Sequence, residues 1–319
     1  MNKVVIMLFF TNALCCIKSL VVQPDPQSNY FNIINFHWPQ DAAAIGNFSN
    51  YEQIHFINIS ADIVSRSITN KLENCAWLKL SNGVVGTFYI NTLISMIFIS
   101  NTNTEHVMIE TEQDYKLESL IIRRTKLTRV PKRINLLIHI EYLEITGNSI
   151  EFVSLDDFNG LNNLYTLDLS NNNIKYIHST AVSLPKLSLF KMIKNKLYQL
   201  DVCSWSMPSI NMLALRFNDL KHFAIGHFPT LEYATLQGNP LNCAWRDSFL
   251  KLNLNKQWPA MNRLSCDKNS QGNITLHCPS TLDELRQQNS GLQLELNKLR
   301  EHISSSQRLA GLTKYRQKL

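Results

Sequence analysis

Apolar residues recur along most of this 319-residue chain in one pattern, with an asparagine at a fixed place in it. The clearest copy runs from 164 to 174, with leucine at 164, 167 and 169, asparagine at 172 and isoleucine at 174. Leu167 and Leu169 flank one polar residue, which is the alternation of a half-buried strand, and the polar residues that follow predict a turn. One copy therefore predicts a short strand, a turn and a return segment that together bury one apolar edge.

The asparagine position recurs at intervals of 21 to 24 residues. Its occupants are Asn101, Thr125, Asn148, Asn172, Asn195, Asn218 and Asn239. This is the leucine-rich-repeat signature, in which successive strands stack into a parallel sheet and one continuous core joins the repeats. The predicted fold class is α/β, with a leucine-rich-repeat horseshoe over residues 93–242 that has its parallel sheet on the concave face, followed by a C-terminal coiled-coil helix.

Residues 20–92 are predicted to hold an N-terminal cap and degenerate repeats. Two segments fit part of the pattern, Cys75-x-x-Leu78-x-Leu80 and Ile54-x-x-Ile57-x-Ile59. Both are interpreted as extra turns of the same solenoid, because a solenoid needs each apolar face covered by a neighbouring turn.

Residues 280–319 change from the repeat to a heptad pattern and are predicted to form a coiled coil. The seam positions are Leu282, Leu285, Asn289, Leu292, Leu296, Leu299 and Ile303. An asparagine at a seam position favours two strands in register. The alternative is that this helix folds back onto its own solenoid.

Residues 1–19 are predicted to be a secretory signal peptide, because Lys3 precedes the short apolar run 4–10. No later segment approaches the roughly 20 apolar residues that a membrane span requires. The mature protein is therefore expected to be secreted and to have no membrane span. Three glycosylation sequons, at Asn47, Asn58 and Asn273, are consistent with that route.

Composition argues against several other classes of protein. Charged residues make up 18% of the chain and the net charge is +6, a mild surplus that disfavours a nucleic-acid partner. The chain lacks the sequence motifs of metalloproteases, serine hydrolases, P-loops and dinucleotide-binding sites. We therefore expect neither catalysis nor a metal or cofactor.

The residues that can contact a partner are those between the leucine positions, which strands display on the concave face. The candidate binding residues are Arg123, Arg124, Tyr142, Glu144, Tyr165, Asp168, Lys191, Lys194, Arg216, Phe217 and Tyr233, with Ile97 and Ile99 from the first strand. Mixed charges with tyrosine and phenylalanine suit a protein-binding surface. The alternative is a solvated face, with binding on the convex side or at the ends.

Stacking geometry limits the pairing of two cysteines. Cys75 lies about five repeats from Cys203, which at a spacing of about 4.8 Å separates them by about 24 Å. A disulfide needs Cα atoms within about 7 Å, so these two cannot pair in a regular solenoid. Cys203 is expected to be a buried free thiol, and Cys75 either caps the N-terminal end or is free.

Residues 243–279 resemble the cysteine-containing C-terminal cap of extracellular leucine-rich-repeat proteins. The resemblance implies an intrachain bridge between Cys243 and Cys266, although such caps begin with C-x-C and here Trp245 stands at the second cysteine position. Cys278, just before the predicted helix, is a candidate interchain disulfide. A bridge from Cys278 to Cys243 or Cys266 is the alternative.

The order of modules, from leader through repeats, cap and cysteine joint to coiled coil, resembles the leucine-rich immune molecules of mosquitoes. The resemblance covers nearly the whole mature chain and suggests a short-type member, since Cys278 stands alone where longer members have a double cysteine. It implies a secreted haemolymph protein of innate immunity that pairs with another leucine-rich-repeat coiled-coil subunit, as a homodimer or heterodimer, and binds a complement-like thioester-containing protein. An extracellular adhesion or receptor-like binding module is the alternative function.

Overall fold

The computed structural model describes residues 19–25, 27, 30–111, 113–252, 264–268, 274 and 276–278. Those up to Leu276 belong to one compact unit, and His277 and Cys278 belong to a second. The predicted coiled coil at 280–319 with all of its seam residues lies outside the described residues, and so do Asn273 and residues 1–18 of the predicted leader.

Short strands dominate the described chain. In chain order they are β1 (Val21–Pro24), β2 (Phe31–Ile34), β3 (Gln53–Val64), β4 (Trp77–Tyr89), β5 (Met96–Ser100), β6 (His106–Met108), β7 (Ser119–Arg123), β8 (Tyr142–Thr146), β9 (Phe152–Ser154), β10 (Thr166–Asp168), β11 (Tyr176–His178), β12 (Val182–Ser183), β13 (Leu189–Lys191), β14 (Trp205–Ser206), β15 (Met212–Ala214) and β16 (Tyr233–Thr235). The α-helices are α1 (Arg66–Thr69) and α2 (Cys243–Leu252), and 3-10 turns occupy Ala42–Phe48, Ile134–Leu136, Leu155–Phe158 and Ile225–His227.

One long sheet runs the length of the solenoid, in the order β2-β3-β4-β5-β7-β8-β10-β13-β15-β16. All of these neighbours pair in parallel, one strand from each turn of the chain, whereas β1 pairs antiparallel with β2 at the N-terminal edge. The leucine-rich-repeat solenoid expected from the sequence is therefore confirmed, and it begins well before residue 93.

A left-handed backbone residue marks every turn of the solenoid. We number the coils of the described chain one to ten by these residues. In order they are Asn35, Asn58, Asn82, Asn101, Arg124, Gly147, Asn171, Lys194, Phe217 and Gly238. Each marks the point where the chain turns away from the concave sheet, and Asn58 and Asn82 do so within the long strands β3 and β4. Asparagine and glycine fill seven of the ten places because they adopt positive φ at low cost.

Two expected alignments are wrong. Asn101 is a left-handed residue equivalent to Arg124. The buried position equivalent to Thr125 is therefore held by Thr102 and not by Asn101. In β3 it is Ile54, not Ile57, that lies opposite Leu78. Ile54 and the next-but-one residue, Phe56, point inward and are buried, whereas Ile57 points to the concave surface.

The interior is a set of apolar columns that run from coil to coil. The two inward positions of each concave strand are filled, from β5 onward, by Ile97, Ile99, Leu120, Ile122, Leu143, Ile145, Leu167, Leu169, Phe190, Met192, Leu213, Leu215, Ala234 and Leu236. All except Ala234 are 0% exposed, so the inclusion of Ile97 and Ile99 in the concave binding surface is wrong.

Buried asparagines join adjacent coils beside these columns. The Asn195 side-chain oxygen accepts a hydrogen bond from the Ile174 N–H at 3.0 Å, and its amide donates to the Leu169 and Met192 carbonyls at 3.0 and 3.3 Å. Asn218 and Asn239 bond their preceding coils in the same way. Each asparagine thus satisfies backbone groups that the turn leaves without strand partners.

The C-terminal end of the core is closed by α2 and one disulfide. Trp245 is 0% exposed, donates its indole N–H to the Phe223 carbonyl at 2.9 Å and stacks on Phe249 with ring centroids 5.4 Å apart. A disulfide joins Cys243 to Cys266, whose Cα atoms are 5.0 Å apart. Trp245, at the place of the missing cap cysteine, therefore fills the end of the core with an aromatic ring.

The remaining cysteines differ from expectation. Cys203 is disulfide-bonded, so the expected buried free thiol is wrong. Cys278 is also disulfide-bonded within this single chain, and its sulfur has no second bond to give to another chain. The interchain assignment is therefore wrong, and a bridge to Cys243 or Cys266 is excluded because those two pair with each other. Cys75 is free and buried, and burial raises the pKa of its thiol to about 12.

Candidate concave binding face

The outward side chains of the concave strands form aligned rows, because parallel pairing places equivalent residues of adjacent coils side by side. The middle position of each strand gives the central row His55, Lys79, Phe98, Ile121, Glu144, Asp168, Lys191, Ala214 and Thr235. Equivalent positions lie about 4.8 Å apart along the solenoid. Residues some 23 apart in sequence thereby become direct neighbours.

Arg123 and Glu144 form the central ion pair of this face. Two guanidinium nitrogens of Arg123 contact the two carboxylate oxygens of Glu144, one of them at 2.6 Å. The Tyr142 hydroxyl donates to the same carboxylate at 2.9 Å and the Thr146 hydroxyl at 2.8 Å. Four donor groups therefore surround Glu144, which is only 4% exposed.

This environment shifts the pKa values of Glu144 and Tyr142 in opposite directions. Burial by itself raises the pKa of Glu144, but the hydrogen bonds from Arg123, Thr146 and Tyr142 outweigh it and hold the pKa below its ordinary value. Burial, followed by the hydrogen bond to Glu144, raises the pKa of Tyr142 to about 12. Glu144 is thus a buried organising group that a partner does not reach, rather than the contact residue that the sequence suggested.

Asp168 and Lys191 form a second pair in the central row. The Lys191 amine lies 3.8 Å from an Asp168 carboxylate oxygen, and the other oxygen accepts the Ser170 N–H at 3.0 Å. Both side chains are partly covered. The middle of the face is therefore close to neutral, because its acids are matched by bases.

Cations that have no carboxylate within 4.0 Å among the described residues lie at the strand-end edge, where the chain leaves the sheet. Arg124 and Lys194 occupy left-handed positions with φ of 50° and 55°, and both are exposed. Arg124 donates from Nε to the Asn101 side-chain oxygen at 2.7 Å. The Arg216 guanidinium lies 5.3 Å from the centre of the Phe217 ring, and Phe217 is 46% exposed.

Two predicted tyrosines lie at the opposite, strand-start edge. Tyr165 immediately precedes β10 and is 54% exposed, while Tyr233 begins β16 and is 45% exposed. Exposed aromatic side chains of this kind are common energetic centres of protein interfaces. The structure therefore separates the predicted set into a buried ion-pair cluster and two accessible edges.

Sequence reasoning missed an N-terminal part of the face. The Lys79 amine lies between two rings, 5.6 Å from the centre of Tyr30 and 5.5 Å from that of Phe98. His55 contacts Ser81, with 2.6 Å between the ring Nε2 and the hydroxyl oxygen. The signal that could have found them is the apolar alternation of Ile54 with Phe56 and of Leu78 with Leu80, which places His55 and Lys79 in the central row.

Of the predicted glycosylation sites, Asn58 lies at the left-handed position of coil two and is exposed. Its amide donates to the Asn35 side-chain oxygen at 3.3 Å. Asn47 lies in the 3-10 turn Ala42–Phe48.

Within the described residues, no group of three histidine, cysteine, aspartate or glutamate side chains has a metal-binding arrangement. The same part of the chain contains no helix of the length and apolarity that crossing a bilayer requires.

Comparison with known proteins identifies the repeats. The leucine-rich-repeat family model matches residues 115–174 and 162–220. No curated protein sequence matches the chain closely enough to indicate a relative.

Solved structures extend the similarity to most of the chain. The crystal structure of the LRIM1/APL1C complex, from mosquito immune proteins, is 15% identical over 85% of this chain, with a TM-score of 0.54. The chain spans 64% of the length of the chain it matches there. The LRIM1 leucine-rich-repeat domain is 16% identical over 81% of this chain and 92% of that domain, with a TM-score of 0.55. The chain therefore contains leucine-rich repeats and shares its fold with the LRIM1 leucine-rich-repeat domain and with a chain of the LRIM1/APL1C complex of mosquito immune proteins.

Proposed function

We propose that this chain is a secreted, non-catalytic recognition protein of insect innate immunity that acts by binding other proteins. The observation that carries the proposal is the concave face, where exposed arginine, lysine, phenylalanine and tyrosine side chains stand on a rigid parallel sheet. Tyrosine and arginine are enriched among the residues that dominate binding energy in protein interfaces. A rigid scaffold also reduces the entropy lost on binding.

Disulfides support the extracellular location. Four of the described cysteines are disulfide-bonded, a state that persists in oxidising compartments and is rare in the cytosol. The similarity in fold to LRIM1, a mosquito immune protein, supports the place in immunity.

For partners we propose a second leucine-rich-repeat coiled-coil subunit and a complement-like thioester-containing protein of the haemolymph. The first is suggested by the LRIM1/APL1C structure, which is a complex of two proteins, and by the heptad pattern at 280–319. Since Cys278 is disulfide-bonded within the chain, we expect the pairing to be non-covalent through the heptad seam.

The test is capture from haemolymph with the full secreted chain. The immobilised chain is incubated with haemolymph taken before and after bacterial challenge, and bound proteins are identified by mass spectrometry. Recovery of a thioester-containing protein, increased after challenge and absent with a variant whose seam and concave face are both substituted, is the expected result. Recovery only of cell-surface proteins, unchanged by challenge, would instead support an adhesion or receptor-like module.

A further inference from the structure

The strand-end edge of the concave face is basic between coils five and nine. Its charged side chains that have no carboxylate within 4.0 Å in the described residues are Arg124, Lys126, Lys194, Lys196 and Arg216. We call these five residues the basic edge; all five are exposed. Two carboxylates lie near these cations: Asp219 in coil nine, and Glu151, which is paired with Lys175 at 2.9 Å. The five cations therefore leave this edge with a net positive charge.

The opposite edge of the same sheet differs in sign. The residues just before the concave strands include exposed Glu118, Glu141 and Glu232. Among the described residues, no ion pair joins a cation of the basic edge to Glu118, Glu141 or Glu232. The two edges therefore give the concave face a polarity across its width, and an anionic partner is attracted to one side of it.

We propose that the basic edge binds an extended acidic peptide segment of a partner protein, which runs along the solenoid axis from coil five to coil nine. This deepens the proposed protein-binding function and depends on it.

The distance between coils sets the separation of the acidic residues in the peptide. Coils stack at about 4.8 Å, so Lys194 lies about 14 Å and Arg216 about 19 Å from Arg124 along the axis. An extended chain advances about 3.4 Å per residue. The matching segment therefore carries two acidic residues separated by about four to six positions, each facing one cationic end of the edge.

The middle of the edge favours a peptide over an anionic polysaccharide. Coils six and seven place Gly147 and Asn171 at the left-handed position, so no cation lies there. A sulfated polysaccharide, with a charge on nearly every sugar, would leave its central charges without partners. A peptide can place neutral residues opposite this gap, and its amides can bond the Asn171 side chain.

The C-terminal end of the basic edge adds an apolar contact. Phe217 lies on the left-handed position of coil nine and is 46% exposed, with its ring against Gly238 and the Arg216 guanidinium. Contact with both neighbours limits the freedom of the ring and of Arg216. An aliphatic side chain that follows the second acidic residue of the peptide fits this exposed ring.

The experiment uses the full secreted chain and fluorescent decapeptides in a glycine and serine background. Each peptide carries two glutamates, separated by one to seven positions, with leucine after the second, and a matched set has glutamine in place of glutamate. We expect binding of the glutamate set to be strongest at a separation of four to six positions and at least tenfold weaker for the glutamine set. Equal binding of the two sets, no binding, or no dependence on separation would overturn the proposal.

The variants assign the binding to the edge. Lys194→Gln with Arg216→Gln is expected to weaken binding of the best peptide at least tenfold. The matched control, Arg129→Gln with Lys132→Gln, removes two exposed cations on the far side of coil five and is expected to change binding less than twofold. Equal losses in the two variants would show attraction by net charge alone. Binding of heparin without binding of any peptide would assign the edge to polysaccharides and overturn the proposal.

The result is separable from the test of function. Capture of a thioester-containing protein by the wild type and equally by the Lys194→Gln, Arg216→Gln variant would refute the edge while leaving the function. Selective peptide binding without capture from haemolymph would refute the proposed partner while leaving the edge.

Discussion

His55 shows how its surroundings on the concave face control a single side chain. It is 9% exposed, contacts Ser81 and lies near the Lys79 amine. Burial, and then the charge of Lys79, lowers its pKa from 6.5 to about 4, while Asp25 acts weakly in the opposite direction. The folded chain therefore keeps His55 neutral at pH values where the unfolded chain protonates it.

This difference makes stability depend on pH. Between about pH 6.5 and 4 the unfolded state binds a proton that the folded state does not, so the free energy of unfolding falls as pH is lowered. We expect His55 to account for a loss of about 1 to 3 kcal/mol across that range. In His55→Gln, urea unfolding measured from about pH 7 to pH 4.5 should show that much less dependence on pH. His139→Gln, at an exposed histidine, is the control; identical curves for His55→Gln and the wild type would contradict the assignment.

Glu144 shows at the same scale what sequence could and could not predict. That Arg123 lies close to Glu144 could be predicted from the repeat, because residues about one repeat apart on adjacent strands lie side by side. The burial of Glu144 does not follow, since an acidic residue at an outward position is normally solvated. Only the convergence of Arg123, Tyr142 and Thr146 on one carboxylate, which requires their side-chain conformations, removes it from the accessible surface.

At the scale of one coil, the buried asparagine is the element that joins neighbours. Asn195 satisfies the Ile174 N–H of the preceding coil, the Leu169 carbonyl of that coil and the Met192 carbonyl of its own. Loss of the side chain leaves the Ile174 N–H buried without a partner, whereas the Leu169 and Met192 carbonyls keep hydrogen bonds from the Asn172 and Asn218 amides. A buried group of this kind costs about 1 to 3 kcal/mol when no water replaces the partner.

We therefore expect Asn195→Ala to lower the free energy of unfolding by about 1 to 3 kcal/mol. Asn162→Ala, at an exposed asparagine, is the matched control and is expected to change it by less than about 0.5 kcal/mol. Chemical denaturation measures both. If the two variants proved equally stable, the ladder of asparagines would be a consequence of the fold and not one of its supports.

The coils that could be predicted most clearly from the sequence have the buried asparagine, and the coils that could not be predicted lack it. From coil six onward Asn148, Asn172, Asn195, Asn218 and Asn239 announce each turn. In coils two to four the equivalent position holds Ile59, Gly83 or Thr102, and the continuous strands β3 and β4 pair directly with each other at Ile59 and Gly83. The turn itself is kept by Asn58, Asn82 and Asn101 at positive φ, but asparagine in polar loops is too common to identify a repeat alone.

Across the whole molecule, stability depends on the ends, because each coil contacts only its neighbours. The N-terminal edge of the sheet is covered by β1, which runs antiparallel to β2. At the other end β16 is the last described strand of the sheet, and α2 with Trp245, Phe249 and the Cys243 disulfide covers the core behind it. A solenoid with one end opened loses coils from that end inward rather than all at once.

The cap disulfide tests this directly. Cys243→Ser with Cys266→Ser opens a loop of 23 residues, for which chain entropy gives a loss of about 3 kcal/mol. Since coupling passes only between neighbours, we expect hydrogen exchange to accelerate in β16 and β15 and to remain unchanged in β8, near the middle of the solenoid. Cys75→Ala, which removes a buried thiol at the far end, should leave β16 unchanged and is the control. Uniform acceleration through β8 would mean that the solenoid unfolds as one cooperative unit, and the peptide-binding edge on coils five to nine would then depend on the cap as strongly as β16 does.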